Sequence, residues 1–157
     1  MIYRLVIAVA VMTALFGAAA PALSTARADA ASSVMERQLS ELAAELASLV
    51  ETDAATADGD AQRTVEIRFP ARTYTNAGVD YLQFETRAGD GVASWQVGSR
   101  KQTERLVETP IRTTASVERL EEPGTHRLVF VLTRADGQRA LTVHRFKSEA
   151  AAKGGYA

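Results

Sequence analysis

Residues 5–26 carry no charge, lying between Arg4 and Arg27, and no other stretch limits the fold as strongly. As a helix, these twenty-two residues extend about 33 Å at about 1.5 Å per residue, enough to cross a bilayer core of about 30 Å. The competing reading is a cleaved export signal: Arg4, an apolar run over residues 5–20, and a small-x-small site at Ala26-Arg27-Ala28 ahead of Asp29. Either way, residues 1–28 are an anchor or signal segment, and the rest of the chain is expected across a membrane. Arg4 and the initiating amine predict a single pass with the N-terminus cytoplasmic and the C-terminal domain extracytoplasmic. Ala10, Ala14, Ala18 and Ala22 place a small residue at every fourth position, which suits close helix approach in lipid, although exported leaders are also alanine-rich. Pro21 removes one backbone donor and is expected to kink a spanning helix near its outer end. The membrane-anchor residues are therefore Leu5, Ala10, Ala14, Ala18 and Pro21.

Residues 29–50 read as an amphipathic helix. Met35, Leu39, Leu42, Leu46 and Leu49 repeat at spacings of four and three, while Glu36, Arg37, Glu41 and Glu45 fall on other faces. Ser33-Val34-Met35-Glu36 has the form of a capping box, so a helix either starts afresh at Ser33 or continues unbroken from residue 2. The helix-packing seam has two accounts: packing on its own domain, or packing with helices of other subunits. Two heptads are too few for a free-standing coiled coil.

An apolar helix with a proline near its outer end, an amphipathic continuation and a β head together resemble the layout of type IV pilins and of the pseudopilins of type II secretion. The resemblance is architectural. No acid precedes Asp29, and only Tyr3-Arg4 stands before the apolar run, so the processing motif of that family is missing. The opening MIYRLVIAVAVMTAL, with an arginine-rich, cysteine-free composition, is similar to an uncharacterised haloarchaeal family of short membrane-anchored proteins from pilus-like or secretion-like systems. These likenesses imply like subunits, or pilus or secretion components, as partners alongside the membrane.

The remaining length has room for one modest domain. With no cysteine, no disulfide framework holds it. Residues 51–62 read as an acidic linker and 63–147 as an antiparallel β domain, with 148–157 a frayed tail. Thr64-Val65-Glu66-Ile67-Arg68-Phe69 alternates as a half-buried strand ended by Pro70. Ala88-Gly89-Asp90-Gly91 separates two further runs. With Asp90-Gly91 as the turn, Phe84 faces Val97 and Thr86 faces Trp95, leaving Tyr81, Gln83, Glu85 and Arg87 on the wet face. Residues 103–107 form another run, and 111–120 an edge strand or connector. The strongest hairpin joins residues 126–133 to 139–146 around Asp136-Gly137. Its sequence, PGTHRLVFVLTRADGQRALTVHRF, is similar to the last strand pair of many Ig-like surface domains. The expected fold class is α+β: a long N-terminal helix, transmembrane and then amphipathic, followed by an antiparallel β-sheet or small β-sandwich head.

No reactive constellation stands out. The only histidines, His126 and His144, fall on opposite faces of their hairpin, which excludes a two-histidine metal pair in that register. There is no Gly-x-Ser-x-Gly elbow, phosphate loop or GxGxxG. Glu118, Glu121 and Glu122 read as a solvated loop. No catalytic residue, cofactor, metal or small-molecule substrate is identified, and a non-enzymatic role is expected. Fifteen bases against eleven acids in residues 61–157, with Tyr74, Tyr81 and Trp95 among them, are a weak signal for nucleic acid, and none is expected as a partner. Residues 29–60 hold eight acids against Arg37, so the basic head is expected to attract the acidic stem of a neighbouring subunit. Two functions remain open: an anchored structural or assembly component of a pilus-like or secretion-like surface system, and an exported binding module, soluble or tethered.

Overall fold

One helix, α1, runs from Ile2 to Thr52 without interruption in the computed structural model. That model describes residues 2–52, 61–135 and 137–146, without the side chains of Ile2, residues 18–21 and Ala135. Residues 53–60 of the expected linker, Asp136 of the expected turn, the tail 148–157 and the side chains of Ala18 and Pro21 lie outside the described residues. The helix continues through both Pro21 and Ser33, so Ser33 and Glu36 cap nothing. Ala31 and Ser32 are buried against the head just before that point, and tertiary packing of this kind carries a helix across a local start signal. Glu51 and Thr52 also belong to α1, so the linker begins later than expected.

Seven strands follow: β1 (Gln62–Phe69), β2 (Tyr81–Arg87), β3 (Asp90–Val97), β4 (Arg100–Val107), β5 (Ile111–Thr113), β6 (Gly124–Ala135) and β7 (Gln138–Arg145). They form a four-stranded sheet ordered β1-β6-β7-β5 and a three-stranded sheet ordered β2-β3-β4. The fold is α+β, and the head is a sandwich. Pairing is antiparallel except between β5 and β7, which run parallel. Alternation supplies the core: Leu128, Phe130 and Leu132 of β6 face Leu82 and Phe84 of β2 and Ala93 and Trp95 of β3. Phe84 and Phe130 meet edge to face, with centroids 5.7 Å apart.

The sandwich is closed along its two long sides by different means. On one side, Thr86 Oγ1 of β2 donates to the Ile111 carbonyl at 2.8 Å, and Leu82 exchanges two backbone hydrogen bonds with Leu120. On the other, α1 fills the gap between the edges of β1 and β4. Ala31, Met35, Leu39, Leu42, Leu46 and Leu49 are each at most 1% exposed there, and burying a large aliphatic side chain contributes about 1.5–3 kcal/mol. Gln38 acts as a surrogate strand residue at the β1 edge. Its Oε1 accepts from the Arg68 backbone N–H at 2.7 Å, and its Nε2 donates to the Arg68 carbonyl at 3.0 Å.

The two hairpins compare differently with the sequence expectation. In β6–β7, Val129 pairs with His144 and Ala135 with Gln138, the register that a turn at residues 136–137 dictates. In β2–β3, Arg87 pairs with Asp90, so the turn is Ala88-Gly89 and not Asp90-Gly91. Phe84 therefore faces Ala93, and Leu82 faces Trp95. Both turn residues have positive φ, 54° and 95°, as a two-residue primed turn requires. The slide preserves parity, which is why the inward faces of both strands survive the correction.

The strands run alongside the helix and give the head two ends. At the near end, where the apolar half of α1 leaves, the Ala77 N–H donates to the Arg27 carbonyl at 3.3 Å. At the far end, Arg139 Nη1 donates to the Val50 carbonyl at 3.1 Å. Residues 28–49 extend about 33 Å as helix, close to the roughly 27 Å of an eight-residue strand.

Candidate functional site

Among the described residues, nothing covers the apolar half of α1. Leu15 is 65% exposed and Phe16 73%, and the other large side chains described between Leu5 and Leu23 are also exposed. An 18-residue window within this helix has mean hydropathy 2.2 with none of it buried, so the helix is long and apolar enough to cross a membrane. The one hydroxyl deep in this stretch that the structure describes, Thr13 Oγ1, donates to the Val9 carbonyl at 2.8 Å, the internal satisfaction that hydrocarbon surroundings demand. Leu5, Ala10 and Ala14 lie on this exposed surface, while Ala18 and Pro21 are placed only by their helical backbone.

The seam residues Met35, Leu39, Leu42, Leu46 and Leu49 are placed elsewhere, inside the head's own core. Of the two accounts of the seam, the structure shows packing on its own domain: the stripe fills the gap between β1 and β4. Two acids of the stem have partners within their own chain. Asp29 accepts from Arg100 Nη1 at 2.5 Å, and Glu36 accepts from Gln102 Nε2 at 3.2 Å. Partial burial, and secondarily the neighbouring Glu36 carboxylate, raise the pKa of Glu104 above its ordinary value.

Where the apolar half meets the head, a cleft of about 490 Å³ opens between α1, the β1–β2 loop and the β3–β4 turn. Arg27 comes to it from α1, Arg72 from the β1–β2 loop and Arg100 from the first position of β4, with Thr25, Thr73 and Asn76 beside them. The Arg27 guanidinium lies over the ring of Tyr74, 5.1 Å from its centroid, and its Nε is buried without a hydrogen-bond partner. Arg72 Nε donates to the Ala77 carbonyl at 3.0 Å, and its Nη2 reaches Asp80 at 3.4 Å. Tyr74 itself is 88% exposed. Of this group the sequence singled out only Arg27, as the first charge after the apolar run, and Tyr74, among the aromatics interleaved with the bases.

The other candidates are accounted for by packing. His126 Nε2 donates to the Glu122 carbonyl at 2.6 Å, which leaves Nδ1 to accept from Arg145 Nη2 at 3.4 Å. His144 sits one register position from that face, opposite Val129. Trp95 is in the core, and Tyr81 is buried beneath the Arg119 guanidinium, 3.9 Å from its centroid, so neither presents a stacking face. Tyr81 points outward as expected but is covered. Glu121 pairs with Arg119 and Glu122 with Arg145. Among the described residues, no group of three histidine, aspartate or glutamate side chains is arranged to hold a metal ion.

A family model described as a domain of unknown function, DUF7311, matches residues 2–146. The chain belongs to that family. The match begins in the apolar half of α1 and ends just past β7, so in DUF7311 the exposed helix and the sandwich are parts of one pattern. No curated protein and no solved structure matches the chain.

Proposed function

We propose that this DUF7311 chain is a single-pass, membrane-anchored, non-enzymatic structural or assembly component that holds its β head outside the cytoplasmic face. The observation that carries this reading is the contrast between the two halves of one helix. The described side chains of residues 5–26 are bare and mostly apolar, whereas residues 28–49 are built into the sandwich. In the full-length chain the Ala26-Arg27-Ala28 segment joins the two halves: it is helical, its Arg27 carbonyl is bonded to Ala77, and Ala28 packs on the core.

The pilin-like layout enters here as a bare apolar half, a docked amphipathic half and a β head. Association with like subunits, or with components of a pilus-like or secretion-like system, would then run through the row Ala10, Ala14, Ala18 and Ala22. The Met35 to Leu49 seam takes no part in it. The absence of cysteine makes the test direct. Full-length protein should be recovered by intact mass from native membranes, and Ala14→Cys should give a disulfide-linked dimer on mild oxidation in the membrane. A soluble species starting at Asp29 would instead make the chain an exported binding module. A full-length anchor that never cross-links at Ala10 or Ala14 would leave a solitary tethered head.

A further inference from the structure

The cleft at the near end has the composition and the position of a phosphate site. Arg27, Arg72 and Arg100 bring three guanidinium groups together against two carboxylates, those of Asp29 and Asp80. The carboxylates leave donors over. Arg27 Nε is buried and unpaired, and the Arg72 and Arg100 side chains remain 73% and 52% exposed. A guanidinium carries five N–H donors in a planar fork that matches two oxygens of a phosphate. The convergence of three guanidinium groups on one cleft, with only two carboxylates beside them, is the decisive feature, since it leaves a net positive charge and free N–H donors for an anion.

Position decides which phosphate. Arg27 is the first residue after the apolar stretch, and the headgroup layer adds only about 5–8 Å beyond each face of the hydrocarbon core. The cleft therefore stands at the depth of lipid phosphates, with Tyr74 exposed next to Arg27 as interfacial tyrosines are. We propose that the Arg27, Arg72 and Arg100 cleft binds the phosphodiester of an anionic glycerophospholipid, fixing the head upright on the membrane surface. This rests on the anchored reading above.

The full-length chain in nanodiscs of phosphatidylcholine with a minor share of phosphatidylglycerol provides the test. Native mass spectrometry after release should find phosphatidylglycerol retained in preference to phosphatidylcholine. Arg27→Gln with Arg72→Gln should lower that retention about tenfold, the loss expected for charge-assisted hydrogen bonds. The head's unfolding midpoint shows whether the double variant still folds; if it does not, Arg72→Gln alone, changed at an exposed side chain, carries the comparison. Equal retention of both lipids by the wild-type chain, or unchanged retention in the folded variant, overturns the proposal. Loss of the bound lipid to millimolar inorganic phosphate, with no preference between the two lipids, makes the cleft a free-anion site. If the native protein is instead a soluble species beginning at Asp29, Arg27 is gone and the anchored reading fails with it. An integral chain without lipid preference overturns the cleft alone.

Discussion

A Cβ built on Gly91 would lie 2.5 Å from Cγ1 and Cδ1 of Ile111 and 2.9 Å from the Thr109 carbonyl oxygen. The glycine thus serves the closure of the sandwich, where β5 presses on the start of β3, and has no part in the turn two residues earlier. Gly91→Ala should destabilise the head by about 1–3 kcal/mol, the usual cost of overpacking. Ala88, held at φ 54°, has the opposite status. Ala88→Asn puts a residue that tolerates the left-handed region into a primed turn and should stabilise by up to about 1 kcal/mol. Denaturant unfolding of the full chain in detergent, followed by Trp95 emission, measures both. If the two substitutions shift the midpoint in the same direction, one of these two roles is wrong.

At the scale of elements, α1 and β4 bring the Glu36 and Glu104 carboxylates near enough to repel each other. Glu104 is raised in the folded protein by partial burial and then by Glu36, so its protonated form is favoured by folding. The folded state therefore binds more protons than the unfolded state in the window above the ordinary carboxylate value of 4.5, and stability falls as pH rises through that window. Glu104→Gln should stabilise the head at neutral pH and flatten its pH dependence between that value and neutrality; an unchanged slope in unfolding midpoint against pH would reassign the effect. The same elements show what was legible in the sequence. Alternation in β1, β6 and β7 and the Asp136-Gly137 turn gave strands and register, because side-chain parity and turn chemistry are local. In β2–β3, Ala88-Gly89 and Asp90-Gly91 both preserve parity, so alternation could not choose between them. The Met35 to Leu49 stripe announced a buried face but not its cover, which only the unfilled gap between β1 and β4 determines. The Ser33 capping box was a true local signal overridden by packing. Of the cleft, only Arg27 and Tyr74 were singled out by the sequence, because Arg72 and Arg100 arrive from separate segments, the β1–β2 loop and the start of β4.

For the whole molecule, the helix and strands together make a head with a near and a far end. The β3–β4 turn at Ser99 lies by Arg27, and Glu108 lies by Glu51. Along α1, the twenty-four residue steps from Arg27 to Glu51 span about 36 Å. An anchor docked rigidly into one side of the sandwich should hold that axis steep to the membrane, since tilt in a single span averages about 20° and the head adds no hinge between residues 26 and 28. Ser99 and Glu108 are both exposed, and the chain has no native cysteine to interfere. Fluorophores placed on Ser99→Cys and Glu108→Cys in full-length protein reconstituted into vesicles should therefore differ in quenching by headgroup spin-labelled lipid, strongly at 99 and weakly at 108. Equal quenching at the two positions would mean that the head lies along the surface. The cleft arginines would then no longer be set apart from the rest of the head by their depth, and continuity of α1 alone would not be enough to orient it.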